Sequence, residues 1–138
     1  MAEGIAGFGT KLTWNTVNLA EVTNISGPSQ TMDTIDVSSH DSPSQYKEFV
    51  AGFRDGGDLS LEGNFIKGDT TGQVAMHTDF QAGTKRNWIV KMPGWAAGKP
   101  QMAGEGLITA FSISYPYEDK ISFSATIKVT GKPTLTLV

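Results

Sequence analysis

The 138-residue chain contains no cysteine and only two histidines. Without cysteine it has no disulfide framework, no thiolate metal site and no cysteine nucleophile. No window approaches the roughly 20 apolar residues of a membrane span. The N-terminal sequence MAEGIAGFG lacks the basic segment and the continuous apolar run of a signal peptide. We therefore expect no membrane anchor and no secretory leader.

Positive charge is also scarce. Eleven basic residues stand against fourteen acidic ones, a formal net charge of -3. The only close basic group is Lys85, Arg86 and Lys91, which is far smaller than the stripe of Lys and Arg that binds a phosphate backbone. Sequence-specific recognition of nucleic acid is therefore not expected.

Alternation of apolar and polar residues predicts a mainly β chain. It is clearest in 107–115 and 121–130, which the turn PYEDK joins as an antiparallel hairpin. A third strand covers 59–65, where Gly63 interrupts the inward row and leaves room for a neighbouring element or a bulge. Weaker strands are predicted at 11–14, 21–26, 34–37 and 87–92. Several short strands with turn residues between them indicate an antiparallel β-sandwich or partial barrel.

One segment has helical features and predicts a flanking α-helix at about residues 70–82. Thr70 and Gln73 have capping-box spacing, and Gly83 is a suitable C-terminal stop. Met76 and Phe80 lie four residues apart and would form one apolar edge against the sheet.

Three groups of side chains resemble catalytic or metal-binding sets, and none has the required spacing. They are Ser39, His40 and Asp41; His77 and Asp79; and Asp55, Asp58 and Glu62. Consecutive residues point in different directions, so the first group does not predict a triad. The second does not share a helix face, and the third lacks the ligand spacing of a calcium loop. We expect no enzyme activity, no catalytic or metal-binding residue and no cofactor.

Tryptophan and tyrosine leave a binding role open. Trp14 and Trp88 lie in strand patterns and are expected in the core, whereas Trp95 follows Pro93-Gly94 and is expected near the surface. Trp95 and Tyr117 together would make a stacking platform for a sugar. A carbohydrate-binding or receptor-binding β-sandwich is therefore one alternative.

A long link, about residues 38–57, separates two predicted strands and shows no clear period. Connections longer than about 12 to 15 residues are usually functional or disordered, and disordered segments carry few apolar side chains. This link contains Tyr46, Phe49, Val50 and Phe53. Exposed apolar side chains of this kind indicate a protein partner.

Both ends of the chain also contain apolar residues whose contacts the sequence does not identify. Residues 1–9 include three glycines, typical of a flexible extended arm, yet they also carry Ile5 and Phe8. The C-terminal LTLV is a short apolar strand that can pair within the chain or with a neighbouring one.

The segment DTIDVSSHDSPSQYKEFVAGFRDGGDLSLEGNF, residues 33–65, resembles the signature region of the major tail tube proteins of long, non-contractile-tailed bacteriophages. In that family a strand ending T-[IV]-D-[VT], a loop with an HDS-like start and an aromatic-Gly-[FL]-[KR]-D run, and a strand [DE]-[LV]-S-[FL]-E-G-N-[FW] recur together. The family fold is similar to the inner-tube protein of type VI secretion. A type VI or contractile-tail inner tube is therefore a second alternative.

The resemblance implies a single tail-tube domain over residues 1–138, assembled as stacked homohexameric rings into the tail of a virion. The long loop and the N-terminal arm would lie on the adjacent subunit or ring, with inter-subunit contacts at Ile5, Phe8, Tyr46, Phe49, Val50 and Phe53. Implied partners are the tape-measure, tail-tip and tail-terminator proteins and, in transient non-specific passage, phage double-stranded DNA. Synthesis and assembly would take place in the cytoplasm of the bacterial host.

The acidic composition agrees with a conduit for DNA. Every Lys or Arg facing a phosphate releases counterions and strengthens binding, so a basic wall would retain a passing duplex. We expect more carboxylates than basic side chains to face the channel.

Overall fold

The computed structural model describes residues 7–137, and strands account for 56% of these residues. The strands are β1 (Lys11–Trp14), β2 (Val17–Asn18), β3 (Val22–Ser26), β4 (Thr31–Asp36), β5 (Phe49–Asp55), β6 (Asp58–Asn64), β7 (Arg86–Ala96), β8 (Lys99–Ser114) and β9 (Ser122–Thr136). The helix is α1 (Gln73–Ala82), and a short 3-10 turn covers Pro43–Gln45. Among residues 7–137, no helix has the length and apolar character that crossing a membrane requires.

Seven strands form one antiparallel sheet in the order β2-β1-β7-β8-β9-β6-β3, and this sheet curls into a half-barrel. The prediction of a mainly β partial barrel with one helix is confirmed. The remaining strands, β4 and β5, form a separate two-stranded sheet, and within residues 7–137 they pair with no other strand.

The core lies between one face of the large sheet and helix α1, which contributes Met76. Trp14 on β1 directly opposes Trp88 on β7, and both are fully buried, as expected. The other buried apolar residues are Leu12, Leu19, Leu59, Leu61, Met76, Val90, Ile108, Phe123, Ala125, Ile127 and Val129. Gly63 admits the neighbouring strand, since a Cβ there would lie 2.7 Å from the Glu21 carbonyl oxygen.

The β8–β9 hairpin is confirmed and is longer than predicted. Its register shifts between Ile108 and Ala110, which inserts Thr109 as an extra residue. Such a bulge reverses the inward and outward positions on either side of it. Ile108 is therefore buried, whereas Leu107, which the alternating pattern of 107–115 places in one apolar row with Phe111 and Ile113, is 37% exposed. In the C-terminal LTLV segment, Leu135 and Thr136 pair within the chain, with Met102 and Gln101 of β8.

The helix is confirmed, and it ends as predicted at Gly83 in the left-handed conformation. The predicted capping box is wrong, because the helix begins after Gly72 and the Asp69 carboxylate accepts the Gln73 backbone N–H at 3.1 Å. The Gln73 side chain is instead buried and binds three backbone groups: Ile66 N–H, Ala20 C=O and Asn64 C=O. It thereby fixes the start of α1 to the end of β6 and to the backbone at Ala20, just before β3.

Two further details of α1 and β7 differ from the predictions. Met76 is buried, but Phe80 is 39% exposed and does not complete an apolar edge. The helix is anchored instead by Asp79, whose carboxylate accepts the Trp14 Nε1–H at 2.7 Å. Pro93-Gly94 does not end β7, because the irregularity between Lys91 and Ala96 absorbs both residues.

Candidate protein-interaction surface

The link at 38–57 is not a structureless loop. Residues 49–55 form β5, which pairs antiparallel with β4, so that residues 31–55 make a complete β-hairpin. The sequence did not show its period because the described fold buries neither face, and alternation appears only where one face is buried. Residues 31–55 are called the assembly hairpin below.

The apolar side chains of the assembly hairpin are exposed to solvent. Phe53 is 92% exposed and Tyr46 is 76% exposed, while Phe49 and Val50 are each about half exposed. All four are residues that the sequence predicted at an interface. The structure adds three exposed apolar residues that the sequence analysis missed: Met32, Ile35 and Val37.

Its strands place these side chains on both faces. Ile35 lies directly opposite Val50, and directly opposed residues in an antiparallel pair share a face. Phe49 opposes Asp36 on the other face. The register shifts between Met32 and Thr34, which gives the hairpin a local bulge.

The connecting loop is closed by its own hydrogen bonds. The Val37 N–H donates to the Glu48 carbonyl at 2.9 Å, and the Glu48 N–H donates to Ser38 Oγ at 2.6 Å. The Asp36 carboxylate accepts the Ser38 N–H at 2.8 Å, and hydrogen bonds from Ser38 lower the pKa of Asp36 below its usual range. The hairpin is thus an ordered element with both apolar faces uncovered.

The root of the hairpin is fixed to the sheet at Gly57. Its carbonyl accepts the Val129 N–H at 2.9 Å, and its N–H donates to Asp55 Oδ1 at 2.9 Å. The Lys128 ammonium lies 3.4 Å from the same carboxylate. The Gly57 hydrogen bond and then Lys128 lower the pKa of Asp55.

This root should respond to acid. Because the pKa of Asp55 in the folded chain lies below its ordinary value of 3.8, its contribution is complete above about pH 4 and is lost as the pH falls through the lowered pKa. We expect the Gly57 amide resonance to titrate in NMR with a midpoint below 3.8, and Asp55→Asn to abolish the titration. A midpoint at or above the ordinary value would contradict this description of the root.

The candidate catalytic and metal-binding groups do not assemble. Ser39, His40 and Asp41 lie exposed in the loop at 37–48. His77 is exposed and packs against the Phe111 ring, with centroids 5.3 Å apart. Within residues 7–137 there is no cluster of three or more His, Asp or Glu placed to hold a metal ion.

The supposed calcium loop has a lysine where the cation would be. Lys128 Nζ lies 3.4 Å from Asp55 Oδ1 and 3.8 Å from Asp58 Oδ1. An ammonium so close to both carboxylates neutralises the charge that would attract a cation.

The N-terminal arm is described only in part. Phe8 is 95% exposed, and its contact with another subunit stays a prediction. Ile5, the other predicted contact in the arm, lies outside the described residues.

The proposed sugar platform does not form. Trp95 lies on β7 beside Gln101, near the start of β8, whereas Tyr117 follows the end of β8 at Ser114. At roughly 3.3 Å per residue, the stretch of β8 between Gln101 and Ser114 spans about 40 Å. The two rings therefore cannot stack on one ligand, which removes the main support for a carbohydrate-binding module.

The family comparison is specific. The model described as "Lambda phage tail tube protein, TTP" matches residues 7–136, nearly the whole chain. No curated protein matches the sequence.

Solved structures share the fold at low sequence identity. A chain of the SPP1 tail tube, known from solid-state NMR and cryo-EM, has a TM-score of 0.72 at 12% identity, covering 98% of this chain and 81% of that one. A chain from the tail of an empty gene transfer agent particle, refined with C6 symmetry, has 0.69 at 21%, covering 92% and 93%. A chain of the sheath-tube complex of an extracellular contractile injection system has 0.71 at 13%, covering 100% and 95%. At these identities the matches show a shared fold only.

Proposed function

The chain belongs to the lambda phage tail tube protein family and is a structural protein of the phage tail, and we propose that it polymerises as stacked hexameric rings that form the conduit for DNA. The predicted family is thus confirmed. The C6 symmetry of the structurally similar gene transfer agent tail supports the ring of six.

The assembly hairpin carries this proposal. It is a folded element with exposed apolar side chains on both faces, and it pairs with no other strand of residues 7–137. An element of this kind gains its burial from another chain. Contacts between two different surfaces of identical subunits either close into a ring or repeat along an axis, and a tube requires both.

The exposed face of the sheet suits a channel wall. On β6, β8 and β9 many of its outward positions are small hydroxyl residues, interrupted by Leu107 and Ala110: Ser60, Thr109, Ser112, Ser114, Ser124 and Thr126. The charged residues on the same face are Asp58, Glu62 and Glu105 against Lys128. A smooth wall with more acid than base would let a duplex slide without retention.

The remaining partners follow from a tube of this kind. A tape-measure protein, a tail-tip protein and a tail terminator would set its length and close its ends, and phage DNA would pass through transiently. The tube would be built in the cytoplasm of the host and function in the virion. In this role the protein binds no cofactor and catalyses no reaction.

Electron microscopy of the concentrated pure protein tests the proposal directly. We expect hollow rods in side view and six-fold rings with an open centre in end view, with an acidic inner wall at higher resolution. Monomers whose residues 38–58 resist protease would show the hairpin already covered, and would favour a binding module instead. A resolved tube with a basic inner wall would contradict the channel assignment.

A further inference from the structure

The surface that receives the assembly hairpin must match its charge as well as its apolar character. Residues 31–55 contain five carboxylates and two basic side chains, a net charge of -3 within this segment. The carboxylates are Asp33, Asp36, Asp41, Glu48 and Asp55, and the bases are Lys47 and Arg54. A complementary surface is therefore apolar and basic.

The turn between β7 and β8 and the strand ends beside it are apolar and basic. Residues 87–104 contain Lys91 and Lys99 and no acidic residue, in a chain that is acidic overall. Lys11 on β1 lies directly opposite Lys91. We call these three lysines, with Trp95, Leu135 and Leu137, the basic tip.

The basic tip holds an unfavourable arrangement of charge. Like charges directly opposed across two strands destabilise a sheet. Neither Lys11, Lys91 nor Lys99 forms an ion pair with a carboxylate anywhere in residues 7–137. Carboxylates from another chain would relieve this repulsion.

The basic tip also presents a fixed aromatic ring. Trp95 is 38% exposed, its Nε1–H donates to Gln101 Oε1 at 3.0 Å, and the Lys91 ammonium lies 4.1 Å from its ring centroid. Leu135 and Leu137 at the end of β9 are about half exposed. Rigid aromatic side chains beside basic groups are typical interface anchors.

The other large exposed apolar group lies at the opposite end of β8. Tyr115, Tyr117 and Ile121 surround the β8–β9 turn. That turn carries Glu118 and Asp119 against Lys120, so its own net charge is negative. An acidic hairpin would be repelled there, which leaves the basic tip as its complement.

We propose that the assembly hairpin of one subunit docks on the basic tip of the next copy of this chain. The inference rests on the proposed function and names the receiving surface for the hairpin. Hairpin carboxylates pair with Lys11, Lys91 and Lys99, and hairpin aromatic side chains pack beside Trp95. Because the two surfaces differ, each subunit offers one and receives the other, and the contact propagates.

Charge reversal with cross-complementation tests the pairing. The double variant Asp33→Lys with Asp41→Lys has a basic hairpin, and the double variant Lys11→Glu with Lys99→Glu has an acidic tip. Within residues 7–137, none of these four side chains forms a hydrogen bond or an ion pair with another side chain. Each double variant should raise the critical concentration for tubes by about a hundredfold, because like charges then face each other. An equal mixture of the two should assemble, since each hairpin again meets a tip of opposite sign.

The matched control is Lys67→Glu with Lys120→Glu, two exposed lysines that lie outside both the assembly hairpin and the basic tip. It changes the net charge as much as the tip variant but leaves the basic tip intact, and it should form tubes normally. If wild type forms tubes and Lys11→Glu with Lys99→Glu forms them equally well, the docking site is wrong while the proposed function stands. Failure of the mixture to assemble would also overturn the pairing. If wild type forms no tubes under any condition, the proposed function falls and this inference with it.

Discussion

Replacing both Phe49 and Phe53 with alanine is expected to abolish tube assembly while the free subunit stays folded. Both rings lie on the assembly hairpin and project largely into solvent, so their loss removes little from the subunit core. In an interface, each fully buried aromatic contributes about 1.5 to 3 kcal/mol. Losing both would raise the critical concentration by roughly 10² to 10⁴-fold, measured by sedimentation and electron microscopy.

The matched variant, Phe49→Leu with Phe53→Leu, keeps most of the apolar area at the same positions. It should assemble with only a modest rise in critical concentration, and both variants should melt close to wild type as free subunits. Normal tubes from the double alanine variant would disprove the interface role of the hairpin. A melting temperature well below wild type would show that these rings support the subunit itself.

Much of the half-barrel was predictable because one face of each strand is buried. Burial imposes period two, and that period marked β6, β8 and β9 in the sequence. The position of Leu107 was not predictable, since the extra residue at Thr109 is set by pairing with β9 rather than by local sequence. Gln73 was mistaken for a cap residue because the backbone groups it binds are distant in sequence.

The assembly hairpin shows the limit of pattern reading more clearly. Its exposed apolar residues Tyr46, Phe49, Val50 and Phe53 were singled out from the sequence, and their role at an interface stays a prediction, but β5 was not identified as a strand. With both faces exposed in the single chain, apolar side chains point both ways and no alternation remains. In the proposed tube a neighbouring subunit would bury these side chains, and the sequence of one chain does not contain that contact.

One feature of the basic tip can be detected in the sequence alone. The 18 residues from Asn87 to Gly104 contain no carboxylate, although carboxylates outnumber basic side chains in the whole chain. That gap becomes informative only when β1 brings Lys11 opposite Lys91. Pairing between strands so distant in sequence is a consequence of topology and is not encoded in any local motif.

The orientation of the assembly hairpin depends on one glycine, so Gly57→Ala should impair both stability and assembly. Gly57 has φ +73°, and a Cβ there would overlap the Ser29 carbonyl. The left-handed conformation costs about 1 to 2 kcal/mol for alanine, and relieving the overlap requires the backbone to move. We expect a loss of about 3 kcal/mol in the free energy of unfolding, measured by urea denaturation, together with loss of tubes.

The variant Gly131→Ala separates the cost of the left-handed conformation from the cost of the overlap with Ser29. Gly131 has φ +79° but open space where its Cβ would lie, so alanine there incurs the conformational cost alone, about 1 to 2 kcal/mol. If the overlap at Ser29 turns the hairpin away from its docking position, Gly57→Ala should fail to assemble even at concentrations where Gly131→Ala forms tubes. Equal loss of stability and equal assembly in the two variants would mean that the root tolerates the displacement. The orientation of the hairpin would then be set by the neighbouring subunit.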